Sequence, residues 1–188
     1  VQIRTDSKRV RPLKGVRCRA ATSLTASGKP VGRTEGEVQF TENALSGICI
    51  FELSRLAGDS FAGTPEISLN LAPEYRADEL VRQFRRQAER LGSEPAAALA
   101  EGMLSRSLAA AVTKAALGGA SVPAGLLSGA DLAAIAAKIE DFRFPVLGTL
   151  SWQNAQVTAG GVPFAEVDGG LQSRFCRGLY LCGEILNV

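Results

Sequence analysis

The feature that most constrains this fold is a change of period. Outside one helical stretch at 45–58, apolar residues recur at every second position in the segments up to residue 71, at helical spacing from 77 to 142, and at every second position again from Phe142 onward. Period two builds strands with one buried face, and recurrence at three and four builds amphipathic helices. A chain that changes period twice reads as strands interrupted by a helical unit. In residues 14–41, Val16, Cys18 and Ala20 alternate with Arg17 and Arg19. Ser27-Gly28-Lys29-Pro30 supplies a turn, and Val38 and Phe40 alternate with Glu37 and Gln39 on the return. This pattern predicts a long β-hairpin. Residues 64–72 predict a further strand, with Ile67, Leu69 and Leu71 on one face.

Between these strands, LSGICIFELSRLAG predicts a helix with Ser46 as N-cap and Gly58 as the residue that ends it. Ile48, Cys49, Ile50, Phe51 and Leu53 make it apolar around most of its circumference, so it is expected to be buried on several sides. After Pro73 the texture changes. Residues 77–91 place Leu80, Phe84, Ala88 and Leu91 on one stripe with arginines opposite, and Asp78 and Glu79 complement the dipole in the first turn. Helical stretches follow at Ala96 to Met103, at Ser107 to Leu117 (closed by Gly118-Gly119) and at Ala130 to Phe142. For the last, Ser128 and Asp131 have capping-box spacing, and Leu132, Ile135, Ile139 and Phe142 form the stripe. Residues 74–140 thus read as a small helical unit inserted in a β-rich chain. Strands resume with Phe142, Phe144 and Val146, then Trp152, Ala155 and Val157. Val146 and Leu179-Tyr180-Leu181-Cys182 have the look of a sheet packed on both sides.

Composition excludes several classes. The 188 residues carry a net charge of +2, so no general field draws the chain to nucleic acid or a membrane. No apolar run approaches a membrane span and the N-terminus is no signal peptide, which reads as a soluble, cytoplasmic protein. Histidine is absent, which removes Ser-His-Asp and Cys-His pairs and His-ligated zinc. The four cysteines, Cys18, Cys49, Cys176 and Cys182, form no C-x-x-C pair and read as buried reduced thiols, with no metal expected. The basic cluster Lys8, Arg9, Arg11, Lys14, Arg17 and Arg19 has no interleaved aromatics. With Glu35 and Glu37 placed across the hairpin, it reads as a solvated strand face rather than a nucleic-acid surface.

Two glycine turns carry what chemistry the sequence offers. Thr158-Ala159-Gly160-Gly161 either brings backbone N–H groups close to a ligand or simply ends a strand tightly. Gly183-Glu184 sets a carboxylate just beyond an apolar run. Cys182 beside it is either a redox thiol or a buried strand residue. Glu140, Asp141, Glu166 and Asp168 are further candidate acids, which spacing does not separate from surface charge. No P-loop and no intact G-x-G-x-x-G is present.

The segments AQVTAGGVPFAEVD and GLYLCGEILNV closely resemble the BaiN-like family of NAD(P)/FAD-dependent oxidoreductases, also described as aminoacetone-oxidase-like flavoproteins. Leu13-Lys14-Gly15-Val16 and Ala44-Leu45-Ser46-Gly47 resemble that family's hairpin start and the segment before its central helix. Ile48 stands where the family usually has proline, and Asn187 where it often has aspartate. The resemblance implies an α+β fold: a β-barrel-like insert subdomain (residues 1–73 and 141–178) carrying a small helical bundle (74–140). Residues 179–188 would be a strand and turn leading into an FAD-binding domain. The chain begins abruptly and stops just after that strand, so it is expected to be a piece cut from a longer protein, without both FAD-binding halves. The resemblance further implies that Thr158, Ala159, Gly160 and Gly161 lie beside the flavin and substrate pocket, and that Gly183 and Glu184 meet the ribityl–pyrophosphate region. FAD is the implied cofactor of the parent and NAD(P)H its reductant. The implied partners are the FAD-binding domain of the same chain and a small-molecule substrate such as a conjugated enone. The alternative is a barrel-type binding module recognising RNA or protein.

Overall fold

The computed structural model describes residues 1–57, 64–150, 153, 155 and 160–187. The expectations that rest on Gly58, Trp152, Val157, Thr158 and Ala159 lie outside the described residues. The chain divides into two compact units, residues 1–154 and 155–188.

The first unit is built on the hairpin. Strand β2 (Arg17–Ala26) pairs antiparallel with β3 (Lys29–Phe40). Ser27 and Gly28 both take positive φ, 50° and 75°. That is the combination a two-residue turn needs to follow the right-handed twist of its strands. Four shorter strands complete the sheet: β1 (Ile3–Arg4), β4 (Ala44–Ser46), β5 (Glu66–Asn70) and β6 (Phe142–Pro145), in the order β1-β4-β3-β2-β5-β6. The residues after β6 then return to β1. Leu147 N–H donates to the Arg4 carbonyl (2.9 Å), Arg4 N–H to Gly148 (2.8 Å) and Leu150 N–H to Gln2 (3.0 Å). These bonds join the two outer strands and close the sheet into a barrel-like wall, which removes the unpaired edges an open sheet would expose.

Alternation decides what the wall encloses. Leu24, Val38, Phe40, Leu45, Ile67, Leu69 and Phe144 are all fully buried, while their neighbours Glu37 and Arg143 are exposed. The rings of Phe40 and Phe144 stand 5.8 Å apart and those of Phe142 and Phe144 4.8 Å apart, tilted and edge-on. On the outer face of the hairpin, Arg17 and Arg19 pair with Glu37 (3.3 Å) and Glu35 (2.7 Å), all exposed.

Helix α1 (Ser7–Val10) links β1 to β2. Helix α2 (Ile48–Ser54) packs on β3. Its start corrects the sequence reading: Ser46 is a residue of β4 paired with Gln39, and the cap is Gly47 at φ 110°. A side chain at Gly47 would run into the Glu37 carbonyl, so strand passes to helix through the one residue that has none. Only part of α2 is enclosed, because Ile48 is 72% exposed while Cys49, Ile50 and Leu53 are buried.

Helices α3 (Ala77–Arg90), α4 (Arg106–Ala116) and α5 (Gly129–Glu140) lie between β5 and β6 in sequence. α3 and α4 both pack on α5. The stripe residues Leu80, Phe84, Leu132, Ile135 and Ile139 are buried in one cluster with the barrel's apolar side chains. The capping box at α5 is present: Ser128 Oγ accepts from the Asp131 N–H, and Asp131 accepts from the Ser128 N–H. Residues 96–103 are not a full helix but a 3-10 turn at Ala96–Leu99 followed by turns. Ala96 N–H donates to Val122, while the N–H groups of Ala98, Ala100 and Met103 reach back only three residues, to Pro95, Ala97 and Ala100, so the segment winds as tight turns rather than propagating an α-helix.

Candidate functional site

The second unit holds both glycine turns. Strand β7 (Val162–Pro163) runs parallel to β8 (Leu186–Asn187), with Val162 opposite Leu186. The residues that precede each strand are therefore neighbours. Gly161 has φ 129°, and a Cβ there would collide with the Ile185 carbonyl oxygen. The glycine is required for the two strands to meet. Gly183 (φ 77°) opens a 3-10 turn at Gly183–Ile185 that carries Glu184. Gly160, Gly161, Gly183 and Glu184 are all exposed. Of the six predicted site residues, the structure brings the second glycine of the first turn against the residue following Glu184. It leaves Gly160 and Gly183 with open space where a Cβ would stand.

Between β7 and β8 the chain is held by polar contacts that the sequence reading passed over. The Asp168 carboxylate accepts from the N–H groups of Gly170 (2.8 Å) and Gln172 (2.9 Å). Leu171 is thereby held at φ 63°, an uncommon conformation for a branched side chain. Ser173 Oγ accepts from Phe175 and Cys176 N–H, both at 3.2 Å, and Arg174 Nε donates to the Val167 carbonyl (3.0 Å). Asp-Gly-Gly at 168–170 was the available signal, since an Asp side chain bonding two residues on is a common turn device. Asp168 is thus a turn residue. Asp141 accepts from Ser68 and Arg143 on the barrel wall, so neither acid stands free for catalysis.

Two expectations fail here. Leu179-Tyr180-Leu181-Cys182 is not a strand in a doubly covered sheet. Tyr180 makes a single bridge to Gln172, Leu179 is 45% exposed and Tyr180 65% exposed. The described residues of this unit bury only Val167 and Leu186 among apolar side chains, so nothing within it covers the run. Cys176 and Cys182 are exposed rather than buried, and Cys182 is no core strand residue. Cys49 is buried, and Cys18 is half-buried with its thiol pushed up to about 12, mainly by burial.

A flavin would have to fit this surface. Gly160 and Gly183 offer bare backbone with free space above it, which suits close approach of a flat ring. Glu184 is an acceptor, suited to hydroxyl or N–H donors and opposed to a phosphate. The residues fit the neutral part of the cofactor.

Residues 1–157 match the family model of the HI0933-like protein barrel and H2TH domain. A barrel-like wall carrying a helical insert is therefore the class of domain that this chain represents. The chain belongs to the HI0933-like family, and is a member of the BaiN-like group whose motifs it resembles. Similar to it is the 3-dehydro-bile acid delta(4,6)-reductase of Clostridium scindens, 26% identical over 191 residues that cover 100% of this chain and 47% of the relative. The chain spans about half the length of the curated relative it matches. Among the described residues, no helix is long and apolar enough to cross a membrane.

Proposed function

We propose that this chain is the substrate-side insert of a cytoplasmic flavin-dependent oxidoreductase, with residues 1–73 and 141–178 as barrel-like subdomain and 74–140 as helical subdomain. The flavin, when bound, supplies the hydride chemistry, with NAD(P)H as the source of reducing equivalents. This chain's residues orient and enclose: Gly160 presents backbone to the ring, Gly183 presents backbone to the ribityl region, and Glu184 accepts from a ribityl hydroxyl there. Thr158 and Ala159 belong to the same turn by sequence. The substrate class we propose is a conjugated enone or similar small organic molecule, a reading that the relative's name as a 3-dehydro-bile acid delta(4,6)-reductase supports. The observation that carries the reading is the meeting of Gly161 with the Ile185 backbone, which sets both motif turns side by side on an exposed surface. Phe164, Phe175, Tyr180 and Ile185, each at least 50% exposed in the same unit, are suited to cover by the FAD-binding domain of the parent chain. An RNA-binding barrel is disfavoured at the basic hairpin, where Arg17 and Arg19 are already matched by glutamates.

The test is flavin retention. The 188-residue chain, mixed with excess FAD and passed through gel filtration, is expected to elute without stoichiometric flavin and without NAD(P)H oxidase activity. The full-length parent is expected to elute yellow, with occupancy reduced by Gly183→Val. Full flavin occupancy of the 188-residue chain, or a parent that binds none, overturns the proposal.

A further inference from the structure

A cleft of about 580 Å³ opens within the first unit, where the beginning of β2 faces the loops before α3 and α4. That volume suits a small molecule. Its buried lining is apolar: Leu71 and Leu104 are buried, and Met103 packs against the same cluster. Charge stands at its rim, on Arg17, Arg19, Glu35 and Glu74. The two guanidinium groups are spoken for, Arg17 by Glu37 at 3.3 Å and Arg19 by Glu35 at 2.7 Å. Glu74 is exposed and has no hydrogen bond or ion pair among the described residues. Ser105, at the same rim, is the N-cap of α4 but makes no side-chain bond to that helix, so its hydroxyl is open to a guest. An anionic guest would meet the carboxylates of Glu35 and Glu74 beside two arginines already paired. A cationic one would complete the single unmatched charge.

We infer that this cleft binds a small amphiphilic monocation, its apolar body on Leu71, Met103 and Leu104 and its ammonium group at Glu74. The cleft shares no lining residue with the glycine turns, and the inference does not depend on the flavin reading. The experiment is a calorimetric titration of the 188-residue chain with 4-phenylbutylammonium, against 4-phenylbutanol and 4-phenylbutyrate as neutral and anionic counterparts of the same body. The ammonium compound is expected to bind about threefold to fivefold more tightly than the alcohol, the scale of one exposed charge pair. The carboxylate is expected to bind weakest, and the ammonium's advantage should shrink as salt is raised. Glu74→Gln, at an exposed side chain without a partner, should leave the circular dichroism unchanged and bring ammonium and alcohol to parity. Equal binding of the two by the native chain overturns the inference. So does a preference for the carboxylate, an advantage that survives Glu74→Gln, or the absence of binding by all three.

Discussion

Gly161→Ala should unfasten β7 from β8, and the structure gives the size of the effect. Two costs add. At φ 129° an L-residue is strained by about 1–2 kcal/mol. The new methyl would also overlap the Ile185 carbonyl and come within 3.2 Å of its carbon, and an unrelieved overlap costs about 1–3 kcal/mol. Against this roughly 2–5 kcal/mol stands the burial of Val167 and Leu186, at about 1.5–3 kcal/mol each before any entropy is subtracted. The penalty therefore consumes most of what holds the unit, and protection of the β7 and β8 amides should be lost. Gly160→Ala is the control: φ there is 98°, but its Cβ would meet nothing, so only the conformational cost applies. Hydrogen exchange on the native chain and both variants reads the difference directly. If the two variants lose equal protection, the close approach to Ile185 is not what demands glycine. If Gly161→Ala loses none, the paired geometry itself is refuted.

Two further outcomes follow from side-chain environment. Ellman's reagent at pH 8 should titrate two thiols quickly, Cys176 and Cys182, and reach Cys18 and Cys49 only after denaturation, because burial raises both of the latter; a third fast equivalent contradicts this. Hydrogen bonds from Ser128 hold the Asp131 carboxyl below its ordinary value, so the stability it contributes is present above about pH 4 and is lost as pH falls through the lowered folded value. Ser128→Ala should thus lower Tm at pH 7, by a cap worth about 1 kcal/mol, and the gap from the native chain should narrow on acidification; a gap that widens contradicts the assigned cap.

The barrel wall and the helices were legible to different degrees, for reasons particular residues make plain. The hairpin β2–β3 was readable because each strand has one wet face, so Arg17 and Arg19 mark the register of Cys18 and Ala20. Helices α3 and α5 were readable because their stripes span three or four turns and their first turns carry acids or a capping box. Closure of the wall was not: the bonds joining Arg4 to Leu147 and Gly148 connect residues more than 140 apart, and no local pattern announces them. The N-cap of α2 was misassigned to Ser46 because serine is the better cap by residue type. What excludes Ser46 is its pairing with Gln39, and what selects glycine is a carbonyl from a different strand.

The same distinction governs the candidate site. A glycine pair after a strand is visible in sequence, but whether it serves a turn or a ligand depends on what occupies the missing Cβ position. At Gly161 that position is filled by the chain's own Ile185 carbonyl, which makes this glycine structural. At Gly160 and Gly183 it is open, which leaves those two as the backbone a ligand can approach. The run Leu179 to Cys182 misled for the complementary reason. Its apolar composition fits a covered strand, yet the described residues of unit 155–188 supply no layer to cover it, and Tyr180 stays 65% exposed. Periodicity reports which face of a segment is apolar, and carries no information about whether the surface that would bury that face belongs to the same compact unit. The six predicted residues therefore divide by physical role: Gly161 holds the two turns together, Gly160 and Gly183 expose backbone, Glu184 supplies an acceptor beside them, and Thr158 and Ala159 belong with Gly160 by sequence alone.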